Sequence, residues 1–432
     1  MDRWTGGQGA NFLIFFLMGL VYSLGVFLYG FLLRVAALFN AKARLWVTGR
    51  RDLFSRLDSA LAGTDRVENP VVWFHASSLG EFEQGRPVIE AYRKAFPGSK
   101  ILLTFFSPSG YEVRKSYGLA DWVFYLPLDT PANARRLVEI VGPAKAIFIK
   151  YDFWFNILGA LRRQKVPVFF ISVKFRPGQH FFRWYGSWFR KQLDSVTWFF
   201  AQNDESALLL HSVGKKNVTV AGDTRFDRVF AISEQRQSFP VVEQFAAGHK
   251  VFICGSTWKE DEAVLLPLLS DRDSGFKFVI APHDTSPDRI RYILDRISRP
   301  VIRYSELTLE NASQADILLI DSVGIHAPLY QYATLAYVGG GFGAGLHNIQ
   351  EPVTFGIPVF FGPGYHKFKE AVDLVALGGV FCVRSAEELT GSISALMADP
   401  QEYLRLSEIC RNYVDENRGA TERIMHYFKT NR

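Results

Sequence analysis

Val71-Val72-Trp73-Phe74-His75-Ala76-Ser77-Ser78-Leu79-Gly80-Glu81-Phe82 passes from an unbroken apolar run, through small residues, into a stretch with helical period. A strand without polar alternation is covered on both faces, which is the habit of parallel sheets with crossover helices. Outward from it the pattern repeats. Strands are expected at Val71–His75, Ile101–Phe105, Trp122–Leu126, Ala146–Ile149, Val166–Val173, Trp198–Ala201 and Val218–Ala221, with helices such as Glu81–Phe96 and Thr130–Val141 between them. A second series follows at Val251–Cys254, Phe276–Ala281, Pro300–Arg303, Ile317–Ile320, Thr334–Val338, Pro358–Phe361 and Gly379–Val383. The rhythm lapses over Ser233–Lys250. The expected fold is therefore α/β, with two Rossmann-like, doubly wound domains at 41–230 and 251–432, a linker at 231–250, and a closing helical stretch Asp399–Phe428. Such sheets bind ligands at the carboxyl ends of their strands, and two of them make a cleft there.

The 432 residues are 48% apolar and 21% charged, which excludes disordered, collagenous and low-complexity classes. Cys254, Cys382 and Cys410 lie far apart, so no disulfide scaffold or zinc spacing is present. The net charge of +6 is local: residues 1–51 hold Arg3, Arg34, Lys42, Arg44, Arg50 and Arg51 against Asp2 alone, leaving +1 for everything after them. Nucleic acid is not an expected partner. From Asn11 to Leu33 no residue is charged. At 1.5 Å per residue a helix over that run reaches roughly 34 Å, enough for a hydrocarbon core of about 30 Å. Residues 1–40 are expected to be a retained membrane anchor, and the basic residues behind it place the bulk of the chain on the cytoplasmic side. Crossing the bilayer and lying in its interface both fit.

Several motifs fall at strand ends. Gly339-Gly340-Gly341-Phe342-Gly343-Ala344-Gly345-Leu346-His347-Asn348-Ile349-Gln350-Glu351-Pro352 follows the strand Thr334–Val338. Its glycines let backbone N–H groups approach an anion, or serve only tight packing. Asn348 and Glu351 stand where a sugar hydroxyl can bond. The spacing fails both the dinucleotide fingerprint and the P-loop. Glu81, at the start of the first domain's helix, can act as a general base, or it can close a Ser78-x-x-Glu81 capping box; the spacing fits both equally. Gly255-Ser256-Thr257 and Ala281-Pro282-His283 end two strands of the second domain, and Arg225 in Gly222–Asp227 can meet an anion or an acidic side chain. The stretch from Lys174 and Arg176 through Arg183, Trp184, Trp188 and Lys191 is basic and aromatic. It suits an anionic amphiphile at a membrane surface, and equally a solvated helix with one buried face. No H-x-x-x-H occurs, and metal-independent chemistry without a cofactor is expected.

Together the anchor, the His75–Glu81 turn, Pro127-Leu128-Asp129, Gly222–Asp227, Gly255-Ser256-Thr257 and the Gly339–Pro352 loop resemble the 3-deoxy-D-manno-octulosonic acid (Kdo) transferases of lipopolysaccharide assembly. That resemblance implies a GT-B fold at the cytoplasmic face of the inner membrane. It implies Kdo transfer from CMP-Kdo to the lipid A precursor, with inversion and no required metal. It makes Glu81 the base, with Gly80 giving the acceptor room. Ser256, Thr257, His283, Gly340, Gly341, Gly343, Asn348 and Glu351 become donor contacts, and Lys174, Arg176 and Arg225 answer substrate carboxylate and phosphates. Relatives often carry Glu-Thr-Glu-Leu-Trp where this chain has Lys150-Tyr151-Asp152-Phe153-Trp154, and Pro-Arg-His where it has Pro282-His283-Asp284. The rival readings are a GT-B enzyme or epimerase using a UDP-sugar, and a membrane-tethered nucleotide-binding protein without chemistry.

Overall fold

The computed structural model describes residues 6–322, 324–343 and 345–431, with side chains from residue 15 onward. Asp2 and Arg3 of the anchor and Ala344 of the glycine loop lie outside the described residues. The chain divides into two compact units, residues 1–227 with 419–432, and residues 228–418.

The first unit is built on seven parallel strands: β1 Val71–Ala76, β2 Lys100–Phe105, β3 Trp122–Tyr125, β4 Lys145–Ile149, β5 Val168–Val173, β6 Trp198–Ala201 and β7 Val218–Val220, in the order β3-β2-β1-β4-β5-β6-β7. β1 shows why the fold forms. Val71 and Trp73 enter one buried cluster, while Val72, Phe74 and Ala76 enter the other, so both faces need helices over them. Strand order reverses between β1 and β4, the switch point at which doubly wound sheets bind ligands. β5 starts two residues later than expected, directly after Pro167, which has no N–H to offer a ladder.

The second unit repeats the plan with β8 Lys250–Thr257, β9 Phe276–Pro282, β10 Val301–Arg303, β11 Ile317–Leu319, β12 Leu335–Val338, β13 Val359–Phe361 and β14 Val380–Cys382. Their order is β10-β11-β9-β8-β12-β13-β14, all parallel, with the switch point between β8 and β12. β8 runs past its expected end because a register shift between Gly255 and Thr257 absorbs Ser256, whose φ of 54° is left-handed.

Two segments differ from expectation. Residues 231–250 are not an irregular linker: the helix Thr224–Glu234 runs into them and a second helix, Pro240–Ala246, follows. The close of the chain is two helices, Pro400–Asn417 and Ala420–Thr430, separated by Gly419 at φ 93°. The last of them belongs to the first unit, where Ile424, Met425 and Phe428 pack into the core beside Tyr92 and Phe169. Asp227 accepts the Gly419 and Thr421 N–H groups at 2.5 and 2.6 Å, capping that helix. A charged-face pattern cannot report this, because the apolar stripe of a helix does not name its partner.

The N-terminal helix Gly6–Ala36 contains a 22-residue stretch, Phe15–Ala36, long and apolar enough to cross a membrane. It exposes Phe16, Leu20, Leu24, Phe27, Leu28, Phe31 and Leu32. A second stripe lies against the first unit. Trp188 Nε1 donates to the Phe15 carbonyl at 3.1 Å, Tyr22 Oη donates to Asp129 Oδ2 at 2.6 Å, and a Cβ on Gly30 would come within 2.5 Å of Leu128. Asp129 also accepts the Asn156 and Ile157 N–H groups at 3.0 and 2.9 Å, so one buried carboxylate caps the helix Phe155–Arg163 and anchors the N-terminal helix. From Phe15 to Gly30 these contacts follow the helix for roughly 22 Å.

Candidate active site

In the first unit the ends of β1, β4, β5 and β7 gather titratable groups. Ser78 caps the helix Leu79–Ala95, its Oγ accepting the Glu81 N–H at 3.4 Å. The Glu81 carboxyl does not close the expected box on the Ser78 N–H; it turns back one residue further and accepts the Ser77 N–H at 2.7 Å. Its side chain lies in hydrogen-bond range of Asp152, on the loop after β4. Burial is the main force on both groups and raises both above their ordinary values; charged Glu81 raises Asp152 further, whereas the bond from Asp152 lowers Glu81. Two carboxyl groups this close share one proton. Glu81 has a backbone donor, whereas Asp152 Oδ2 is buried with no donor aimed at it, so the proton resides on Asp152 and Glu81 carries the charge. Glu81 is then a base stronger than an exposed glutamate.

Lys150 lowers both carboxyl groups and is itself lowered by burial. Its φ of 71° is rare for a residue with a side chain and is held at the end of β4, directly beside the pair. Lys150→Met is expected to move the acid limb of kcat/KM to higher pH, because the cation that favours ionised Glu81 is gone. A pH–rate profile checks the direction.

Of the other residues expected here, Gly80 is exposed, and a Cβ on it would meet nothing. Arg225 is paired, its Nε and Nη2 donating to Asp223 Oδ2 at 2.9 and 2.6 Å. Lys174 acts on the same half-buried Asp223, and Arg176 acts on Tyr151 beside Glu81. The structure thus brings Glu81, Lys174, Arg176 and Arg225 into one field. It adds Lys150, Tyr151, Asp152 and Asp223, to which the sequence alone gave no role. His75 is a buried scaffold: its Nε2 accepts from Trp154 Nε1 at 3.0 Å, and burial pushes its pKa down to about 3.

In the second unit the ends of β8, β9 and β12 meet. Asp261, fully buried, accepts from Gly340 N–H at 2.8 Å, Trp258 N–H at 2.9 Å and Tyr337 Oη at 3.0 Å, tying the glycine loop to the β8 end. The loop divides in two. A Cβ on Gly339 would strike the Ser256 carbonyl at 2.3 Å and one on Gly341 would strike Gly362 at 2.6 Å, while Gly340 has a φ of 92°; these three serve close packing. Gly343 is open, with only Glu260 within 4 Å of its Cβ direction. Glu351 is held ionised, below the usual range, chiefly by its hydrogen bond to His326 at 3.2 Å, with Asn348 Nδ2 also donating to it at 3.2 Å. The Gln350 N–H that opens the short helix Gln350–Thr354 is already taken by Asn348 Oδ1.

Trp258 Nε1 donates to His347 Nε2 at 2.8 Å with the rings only 7° apart, and His283 stacks on both, at 4.5 and 4.6 Å. Burial, with His283 and His326 adding to it, pushes His347 down to about 4, so it stays neutral and accepting. Ser256 is half-buried and His283 exposed. Thr257, expected among the donor contacts, is turned inward: its hydroxyl donates to Glu262 at 3.0 Å, and Glu262 pairs with Arg289. Among the described residues no three of His, Cys, Asp and Glu gather as metal ligands.

Residues 51–228 match the family model described as 3-Deoxy-D-manno-octulosonic-acid transferase (kdotransferase). The chain is 28% identical over 396 residues to the 3-deoxy-D-manno-octulosonic acid transferase of Bordetella pertussis, covering 87% of this chain and 91% of that protein. It is 25% identical over 369 residues to the enzyme of the same name from Chlamydophila psittaci (strain ATCC VR-125 / 6BC), covering 83% and 85%. Among solved structures, a UDP-N-acetylglucosamine 2-epimerase aligns with a TM-score of 0.57 at 15% identity, over 84% of this chain and 97% of that one. A putative epimerase of the same kind from Listeria monocytogenes gives 0.59 at 13%, over 84% and 96%. At these identities the epimerases share the two-unit GT-B architecture and nothing more. The sequence relatives carry the likeness: over most of its length the chain is similar to proteins named Kdo transferases.

Proposed function

We propose that this chain transfers Kdo from CMP-Kdo to a lipid A precursor at the cytoplasmic face of the inner membrane, by inverting, metal-independent chemistry with Glu81 as the base. The observation that carries it is the buried Glu81–Asp152 pair at the switch point of the first sheet, with Glu81 left as the ionised member. The acceptor O–H gives its proton to Glu81, and its oxygen bonds the anomeric carbon. The bond from that carbon to the CMP phosphate oxygen breaks, its electron pair leaving on the phosphate. One displacement of this kind inverts the centre. Lys174, Arg176 and Arg225 answer the anionic groups of the substrates, and open Gly80 lets the acceptor approach Glu81.

Ser256, His283, Asn348, Glu351 and the backbone of Gly341 and Gly343 hold CMP in the second unit, while Gly340, its N–H taken by Asp261, shapes the loop. Thr257 contributes through its backbone, since its hydroxyl is committed to Glu262. Oriented N–H groups and basic side chains stabilise the phosphate charge as the donor bond breaks. The epimerase-like architecture keeps a UDP-sugar as the second reading. Donor competition separates the two: CMP is expected to inhibit transfer competitively against CMP-Kdo, and UDP at equal concentration is not. Inhibition by UDP alone would overturn the CMP assignment.

A further inference from the structure

Beside the N-terminal helix, and wholly within the first unit, lies a cavity of about 530 Å³. Gly25, Val26 and Tyr29 of the helix wall one side, and Phe106, Phe153 and Asp152 from the loops after β2 and β4 wall the other. Its size is that of a small-molecule pocket, and its walls are chiefly aromatic and aliphatic. The polar exception is Asp152, whose carboxyl reaches Glu81. The cavity thus begins at the carboxyl partner of the proposed base and runs along a helix that exposes Leu24, Phe27, Leu28 and Phe31. A chain leaving it along that helix meets apolar surface instead of water.

We propose, resting on the acceptor reading above, that this cavity holds an acyl chain of the lipid acceptor and so presents the acceptor hydroxyl to Glu81. Continuity with the carboxyl pair selects this occupant over a bulk membrane lipid, which has no reason to be seated beside the base. The helix has two roles here, anchor and wall of the acceptor site. Glycine at position 25 keeps the cavity open: a Cβ there would meet nothing within 4 Å.

The test fills the cavity from that position. Gly25→Leu suits a helix and its Cβ meets nothing, and Gly19→Leu is the control, because the Cβ direction there is equally open and Gly19 does not line the cavity. Each methylene kept from its apolar site is worth roughly fourfold in affinity. Gly25→Leu is therefore expected to raise KM for the acylated acceptor about tenfold or more, with no change for its acyl-free glycan and none in Gly19→Leu. A diazirine-tipped N-acyl glucosamine, photolysed with the full chain in micelles, is expected to label Phe106 or Phe153 in the wild type and in Gly19→Leu, but not in Gly25→Leu. Equal labelling of Gly25→Leu, or equal KM changes for both acceptors, overturns the proposal. If the wild type transfers no Kdo at all, the transfer reading fails, and labelling still decides whether the cavity takes an acyl chain.

Discussion

Glu81→Gln is expected to lower the single-turnover rate of Kdo transfer by about 10²–10⁴-fold, the range for loss of a positioned general base. The variant keeps its fold for a local reason. A glutamine oxygen still accepts the Ser77 N–H, and its amide can donate to Asp152, so the pair stays bonded while the base is lost. CMP binding, followed by calorimetry, is expected to be unchanged, because the residues proposed to hold CMP lie in the other unit. A second readout separates the carboxyl's charge from its chemistry. Burial raises Glu81 above its ordinary value of 4.5. The folded protein therefore keeps a proton that the unfolded chain has already released, and wild-type stability falls as pH rises from about 4.5 through the raised value. Glu81→Gln removes that contribution to the slope, so its stability relative to wild type is expected to rise over the same window. Wild-type turnover by the variant would remove Glu81 from the base role; an unchanged pH dependence of stability would contradict its burial.

Asp261→Ala is expected to be the most damaging change in the second unit. Three donors converge on this buried carboxylate, from Trp258, Gly340 and Tyr337, and alanine leaves all three without a partner. An unsatisfied buried donor costs about 1–3 kcal/mol, so the total is of the order of several kcal/mol. The loss falls where β8 and β12 hold the glycine loop, and CMP affinity is expected to fall with stability. Asp261→Asn is the control: its oxygen can keep both backbone donors while the Tyr337 hydroxyl rotates to accept from the new amide. A urea unfolding series on the three proteins checks this, with alanine well below wild type and asparagine near it. Equal midpoints for alanine and wild type would show that the carboxylate is not what ties the loop down.

The two series of apolar runs were enough to place the strands and the parallel architecture, because a strand covered on both faces must be built almost entirely of residues like Val71, Trp73 and Phe74. Glu81 and the glycine loop were legible for a related reason: a strand end followed by small residues is local in the chain. The partners of Glu81 were not. Asp152 stands on another strand's loop, and only the adjacency of β1 and β4 brings it and Lys150 to Glu81, so the run 150–154 by itself shows neither the shared proton nor the cation beside it. The same holds for Asp261, which reads as an ordinary acid in a helix's first turn until β12 is laid against β8. It holds also for the last helix, whose helical character was legible but whose home on the first sheet was not. Periodicity and turn chemistry act over a few residues, and one sequence carries them whole. Which charges meet, which pKa moves and which cavity opens depend on groups far apart in the chain, and packing alone decides those.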